Sequence, residues 1–166
     1  MQFPEIAAEI SRMVEIDQEM RIKSFTDDSV WDDSVDARHT ARMKQIVAEI
    51  GWPTAGKVGE KASSEAWLLV QHADRDRDFQ QHCLTLMKNE SEDEVRPRDR
   101  AMLEDRVLAG TGRPQLYGTQ FQQKEGKHVP LEIEDPERVN ERRAAVGLGT
   151  LEEGIALMYD KYGTPT

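Results

Sequence analysis

The chain has 166 residues, 37% hydrophobic and 33% charged, with 32 acidic against 22 basic side chains and a formal charge of −10. That length and apolar content suit one domain with a real core and argue against disorder, while the negative charge disfavours nonspecific binding to nucleic acid or an anionic membrane. Cys83 is the single cysteine, which excludes an intrachain disulfide and a thiolate zinc site.

The opening "MQFPEIAAEISRM" lacks a basic-then-apolar leader pattern. No apolar run approaches the roughly 20 residues of a membrane span, so a cytoplasmic protein is expected. From Pro4 to about Lys23, Ile6, Ile10, Met13 and Val14, then Met20, recur at helical spacing, and Pro4 suits a first turn. "FTDDSVWDDSVD" breaks the pattern. Its Asp27, Asp28, Asp32, Asp33 and Asp36 read as solvated, helix-capping surface rather than a metal cluster, since no glycine-centred calcium-loop spacing accompanies them. A second helix is predicted from about Ser34 to Ile50, closed by Gly51. After the turn "GWPT", a third runs from about Val58 to Ala73. Gly59, Ala62, Ala66 and Ala73 form a stripe of small residues on it, which marks it as the central helix.

A fourth helix, from about Arg75 to Lys88, places Phe79, Cys83, Leu86 and Met87 on one face. "NESEDEVRP" is the most acidic connection and a plausible flexible point. Pro97 then opens a fifth helix carrying Met102, Leu103, Val107 and Leu108, stopped by "AGTG". In "RPQLYGTQFQQKEGKHVPLEI", Gln115, Tyr117, Thr119 and Phe121 alternate with their neighbours, and Glu125-Gly126 is a turn signal, so a short hairpin is expected. "DPERVNERRAAVGL" has an aspartate N-cap, proline at the first helical position and glycine after the last turn. Thr150 and Glu153 of "TLEE" form a capping box that opens a final helix reaching about Tyr162. The expected architecture is mainly α: a single-domain helical bundle of six or seven helices with one small β-hairpin.

Polar residues interrupt apolar surroundings at three places. In "AWLLVQHADRD", His72 can take and return a proton near neutral pH, beside Gln71 and Asp74. The competing reading is that His72 only caps a helix C-terminus. In "LEDRV", Asp105 could orient a histidine and Arg106 could hold a carboxylate or phosphate with paired hydrogen bonds; the alternative is a structural ion pair with another element, or plain exposure. "QLYGTQF" offers Gln115, Tyr117, Thr119 and Gln120 as neutral donors and acceptors around Gly118, which lets a backbone or ligand approach closely. An exposed polar hairpin is the alternative. His39 reads as a core-edge histidine, and His72 and His82 have no metal spacing. Arg142 and Arg143 could contribute one anion contact, but surface ion pairing is the favoured reading. No HExxH, phosphate-binding glycine loop, GxSxG elbow or dinucleotide fingerprint is present, and nothing demands a cofactor or metal.

The ordered series "IGWPTAGKVGEKAS", "AWLLVQHADRDRDFQQHCLTLM", "LEDRV", "GRPQLYGTQF" and "PLEIEDPERVNERRAAVGL" resembles a family of small proteins described only as a domain of unknown function. The likeness covers roughly residues 40 to 150 and implies no reaction. It implies only that Trp52, Pro53, Gln71, His72, Asp74, Asp105, Arg106, Gln115, Tyr117, Gly118, Thr119 and Gln120 belong to a recurring pattern. The first 34 residues, a helix and an acidic connector, lie outside that series.

These features point to a small enzyme performing non-redox acid–base chemistry, of hydrolase, lyase or isomerase type, on a small polar or anionic molecule. The expected cavity lies between the third helix, the fifth helix and the hairpin. His72 would carry the proton, with Asp105 or Asp74 orienting it and Tyr117 donating to developing negative charge. Gln71, Asp74, Arg106, Gln115 and Gln120 would hold the substrate. Two alternatives stand beside it. One is a noncatalytic small-ligand or peptide-binding module. The other is an acidic domain that meets a basic protein partner.

Overall fold

The computed structural model describes residues 1–165. The protein is mainly helical. Among the described residues there are eight α-helices, two short 3-10 turns and one two-stranded antiparallel hairpin. They fall into two compact units, Met1–Arg96 and Pro97–Thr166, divided at the end of the acidic stretch 89–97. Among the described residues, no helix is long and apolar enough to cross a membrane.

The first unit begins with α1 (Pro4–Ser24), whose Ile6, Ile10, Met13, Val14 and Met20 are buried as their spacing requires. Asp27 caps a 3-10 turn at 28–30, and Asp32 caps α2 (Asp33–Ile50) by accepting the Ser34 N–H at 2.9 Å. The acidic run therefore supplies caps, as expected. Arg42 on α2 clamps Glu9 of α1 through two bonds of 2.6 and 2.7 Å. This twin contact aligns the two helices.

The predicted third helix is α4 (Glu60–Gln71), within two residues of its expected bounds. A further short helix, α3 (Ala55–Val58), precedes it, and Gly59 separates the two with φ +87°, a value that side chains disfavour. The free N–H groups at the start of α3 are answered by Glu94: its carbonyl takes the Ala55 N–H and its carboxylate takes that of Gly56. The centre of the unit is α4, packed against α1, α2, α3 and α5 (Arg77–Lys88). Its small stripe permits this, because Ala62 and Ala66 let neighbouring helices come close and are almost completely buried.

The second unit opens with α6 (Pro97–Gly110), where Leu103 and Asp105 are wholly buried. The hairpin is shorter than the sequence pattern suggests. Strands β1 (Phe121–Lys124) and β2 (Lys127–Pro130) pair from Phe121–Pro130 to Lys124–Lys127, around a Glu125-Gly126 turn with both φ angles positive. The alternation at 115–120 does not make a strand, because the peptide N–H groups there turn toward Asp105; Gln115 keeps a single bridge to Ile133. A 3-10 turn at 136–138 leads into α7 (Val139–Ala145). The Asp135 carboxylate accepts from Arg138 Nε at 2.7 Å instead of capping the backbone as expected. The last helix, α8 (Leu151–Tyr162), carries the full Thr150–Glu153 capping box and packs on β2 and α7.

Candidate functional site

The sequence-predicted polar residues form two separate constellations, one in each unit. In the first, α4 ends at Gln71 and His72 is its C-cap, with its backbone N–H bonded to the carbonyls of Leu68 and Leu69. The cap and the side chain act independently. The imidazole Nδ1 lies 2.9 Å from Oδ1 of Asp17 on α1, a carboxylate with 1% of its side chain exposed. An ionised carboxylate only accepts, so Nδ1 is the donor in this contact. The ring retains 18% of its side-chain exposure.

Asp17 is answered from three sides. Beyond His72, it accepts from Gln18 Nε2 at 2.7 Å and from Arg21 Nε at 3.0 Å. Burial opposes its charge, but the His72 bond and the charges of His72 and Arg21 outweigh it and hold the carboxyl below the usual aspartate range. Arg21 extends the chain of contacts: Nη2 donates to Asp36 at 2.7 Å, and the guanidinium lies 5.0 Å from the centre of the Trp31 ring. His39, buried on α2, stands near the same charges. Burial holds its pKa below the usual value, against the pull of Asp17 and Asp36.

Asp17 and Arg21 were not among the residues singled out from sequence. One signal was readable. Asp17 sits on the stripe Ile6, Ile10, Met13, Met20, at the spacing of a core position, so a carboxylate there needs a buried partner. Asp17, rather than Asp74 or Asp105, is therefore the carboxylate that orients His72. Asp74 instead accepts from Gln80 Nε2 at 3.1 Å, and the same amide group bonds the carbonyls of Val70 and Gln71 at the end of α4. Gln71 is buried, with its side-chain Nε2 unpartnered.

The second constellation surrounds Asp105. Its carboxylate accepts the backbone N–H groups of Leu116, Tyr117 and Thr119 at 2.7 to 3.2 Å, and the Thr119 hydroxyl at 2.9 Å. Burial pushes the carboxyl above the ordinary aspartate range while these donors pull the other way. The carbonyls of the same loop face the opposite direction, to Arg142 Nε from Leu116 and to Arg143 Nη1 from Tyr117, both at 2.7 Å. Gly118 closes the turn with φ +66°, where a Cβ would lie 2.8 Å from both Ile133 and Leu151.

Gln115 is fully buried and fully used. Its amide donates to the carbonyls of Gln120 and Leu131 and accepts the Gln120 N–H. Gln120 in turn accepts from Arg106 Nη1 at 2.9 Å and donates to Thr119 Oγ1. Asp105, Gln115, Thr119 and Gln120 thus hold one loop in shape, and Arg106 supports it. Tyr117 contributes its backbone to this network, while burial raises the pKa of its hydroxyl, with Glu104 and Asp105 adding to the effect.

Other reactive groups add little. The buried Cys83 thiol is pushed up to about 12 by burial and by Asp76, so it stays protonated and unreactive. Among the described residues, no three His, Cys, Asp or Glu side chains gather as a metal site would require.

The molecule is thus a mainly helical protein with a histidine paired to a buried carboxylate in one unit and an aspartate-centred loop in the other. It belongs to a family of unknown function, DUF6624, which matches residues 4–165. The match takes in α1, and with it Asp17 and Arg21, which the motif series from residue 40 onward leaves out. No curated protein and no solved structure matches the chain.

Proposed function

We propose that the protein is an acid–base enzyme of hydrolase, lyase or isomerase type acting on a small polar or anionic molecule, with His72 as its proton carrier. One observation carries this reading: the 2.9 Å contact between His72 Nδ1 and the buried Asp17 carboxylate. A fixed Nδ1–H leaves the Nε2 lone pair to take a proton from a bound molecule, and Asp17 then stabilises the imidazolium until the proton is returned. No metal or redox partner is needed for such a transfer. Arg21 shares Oδ1 of Asp17 with His72, so its guanidinium stands beside the ring and anchors an anionic group of the substrate. Asp105, Gln115, Thr119 and Gln120 act as scaffold in this account.

The test starts from binding. A library of small carboxylates, phosphates and amides is screened by thermal shift, and each hit is incubated with wild type and with His72→Gln while NMR follows its chemical state. The expected result is a molecule converted by wild type, with turnover at least 100-fold slower in the variant and affinity within a few fold. A hit returned unchanged by wild type would make the protein a binding module. Equal turnover in both proteins would remove His72 from the chemistry.

A further inference from the structure

The second unit contains a cavity of about 480 Å³, within the size range of small-molecule sites. Its walls combine Leu148 and Leu157 with Arg98 and Arg143, and also bear Glu153 and Asp160. Arg143 decides its chemistry. This side chain is only 5% exposed, an unusual state for a guanidinium. Nε donates to the Gly149 carbonyl at 2.5 Å and Nη1 to the Tyr117 carbonyl at 2.7 Å, so both bonds end on neutral acceptors. Neither uses Nη2. That nitrogen lies against Gly154 on the first turn of α8, where a Cβ would come within 2.9 Å of it. Asp105, Glu152 and Glu153 act on this buried cation through their charge, but both of its hydrogen bonds end on neutral carbonyls.

We propose that this cavity binds the carboxylate of a small aliphatic acid, with Arg143 Nη2 holding the carboxylate and Leu148 and Leu157 covering the hydrocarbon. Glycine at 154 supplies the clearance for the anion beside Nη2. The two acidic side chains in the wall select for a single negative charge, because each repels a phosphate dianion more strongly than a monoanion. Arg98 brings a second positive charge to the wall and offsets part of that repulsion. Every residue involved belongs to the second unit, so the site stands or falls independently of His72.

The probe is hexanoate, titrated into the full chain while amide NMR signals are recorded, with hexylamine and inorganic phosphate as controls. Saturable shifts at Gly149, Gly154 and Leu157 with hexanoate, and none with the controls, are expected. Arg143 also supports the 116–119 loop, so the informative variant is Leu157→Asp. Leu157 is 65% exposed, so its replacement should spare the fold. A carboxylate there weakens hexanoate binding at least tenfold. Absence of a saturable shift, equal shifts with hexylamine, preference for phosphate, or unchanged binding by Leu157→Asp would each overturn the proposal.

Discussion

Two buried aspartates, one in each unit, have opposite kinds of partner. Asp17 is answered by side chains, and two of these, His72 and Arg21, carry or can carry charge. Asp105 is answered by three peptide N–H groups and one hydroxyl from a single loop. Peptide groups do not titrate and cannot turn away without unfolding the loop, so Asp105 works as an anchor. Side-chain partners can exchange protons and reach other acceptors, and on that ground the proposed function gives Asp17 the orienting role. Burial alone does not separate these roles; the identity of the donors does.

The largest effect is expected at the anchor. Asp105→Ala leaves three N–H groups without acceptors and should lower stability by at least about 3 kcal/mol in urea unfolding. Asp105→Asn should recover only part of this, since its NH₂ faces donors. A loss below 1 kcal/mol in the alanine variant would erase the distinction between the two carboxylates.

Asp17→Asn should cost about 2 kcal/mol at neutral pH and change the acid response as well. The folded-state pKa of Asp17 lies below its usual value. Its contribution is therefore complete above the unfolded pKa, near 4, and disappears as pH falls through the folded value. Wild-type stability should decline in that acid range, and the variant should show a shallower decline. Equal slopes would mean that the pair with His72 does not bias the titration.

A smaller loss tests a network made only of exposed groups. Thr150→Ala removes half of the capping box of α8 and should cost about 1 kcal/mol.

The smallest effect is confined to pH and belongs to His39. Burial holds its folded pKa below the ordinary 6.5, so the unfolded chain takes up the proton first. Stability should accordingly fall as pH drops below about 6.5, and His39→Leu should flatten that segment of the curve. A slope that survives the substitution would assign it to another group.

Much of the fold was legible because its local signals were strong. The helix starting at Pro4, the Asp32 cap, the Gly51 stop, the Glu125-Gly126 turn and the Thr150 box all appear as their chemistry dictates. One reading failed where a long-range contact overrode a local pattern. The 115–120 alternation resembles a strand, but Asp105, ten or more residues earlier, takes its N–H groups. The third helix lies close to its expected bounds, but the short α3 before it was not foreseen, because Glu94, which caps it, lies far along the chain. At the candidate site, His72 could be found from residue type alone. Its partner could not, since the choice among Asp17, Asp74 and Asp105 depends on which helix packs against α4. Arg143 reads as a surface ion-pairing residue for a related reason: the sequence shows one more charged residue on a polar helix, and only the fold buries it.

Arg21 touches more than its two carboxylates. The Trp31 indole beneath its guanidinium is 42% exposed, whereas Trp52 is 1% exposed. The two indoles should therefore emit at different wavelengths, Trp31 toward the red. Under the proposed function, an anion that draws Arg21 away from Asp17 and Asp36 would also lift a positive charge from the Trp31 ring. Red-edge fluorescence would then serve as an optical gauge of the proposed ligand.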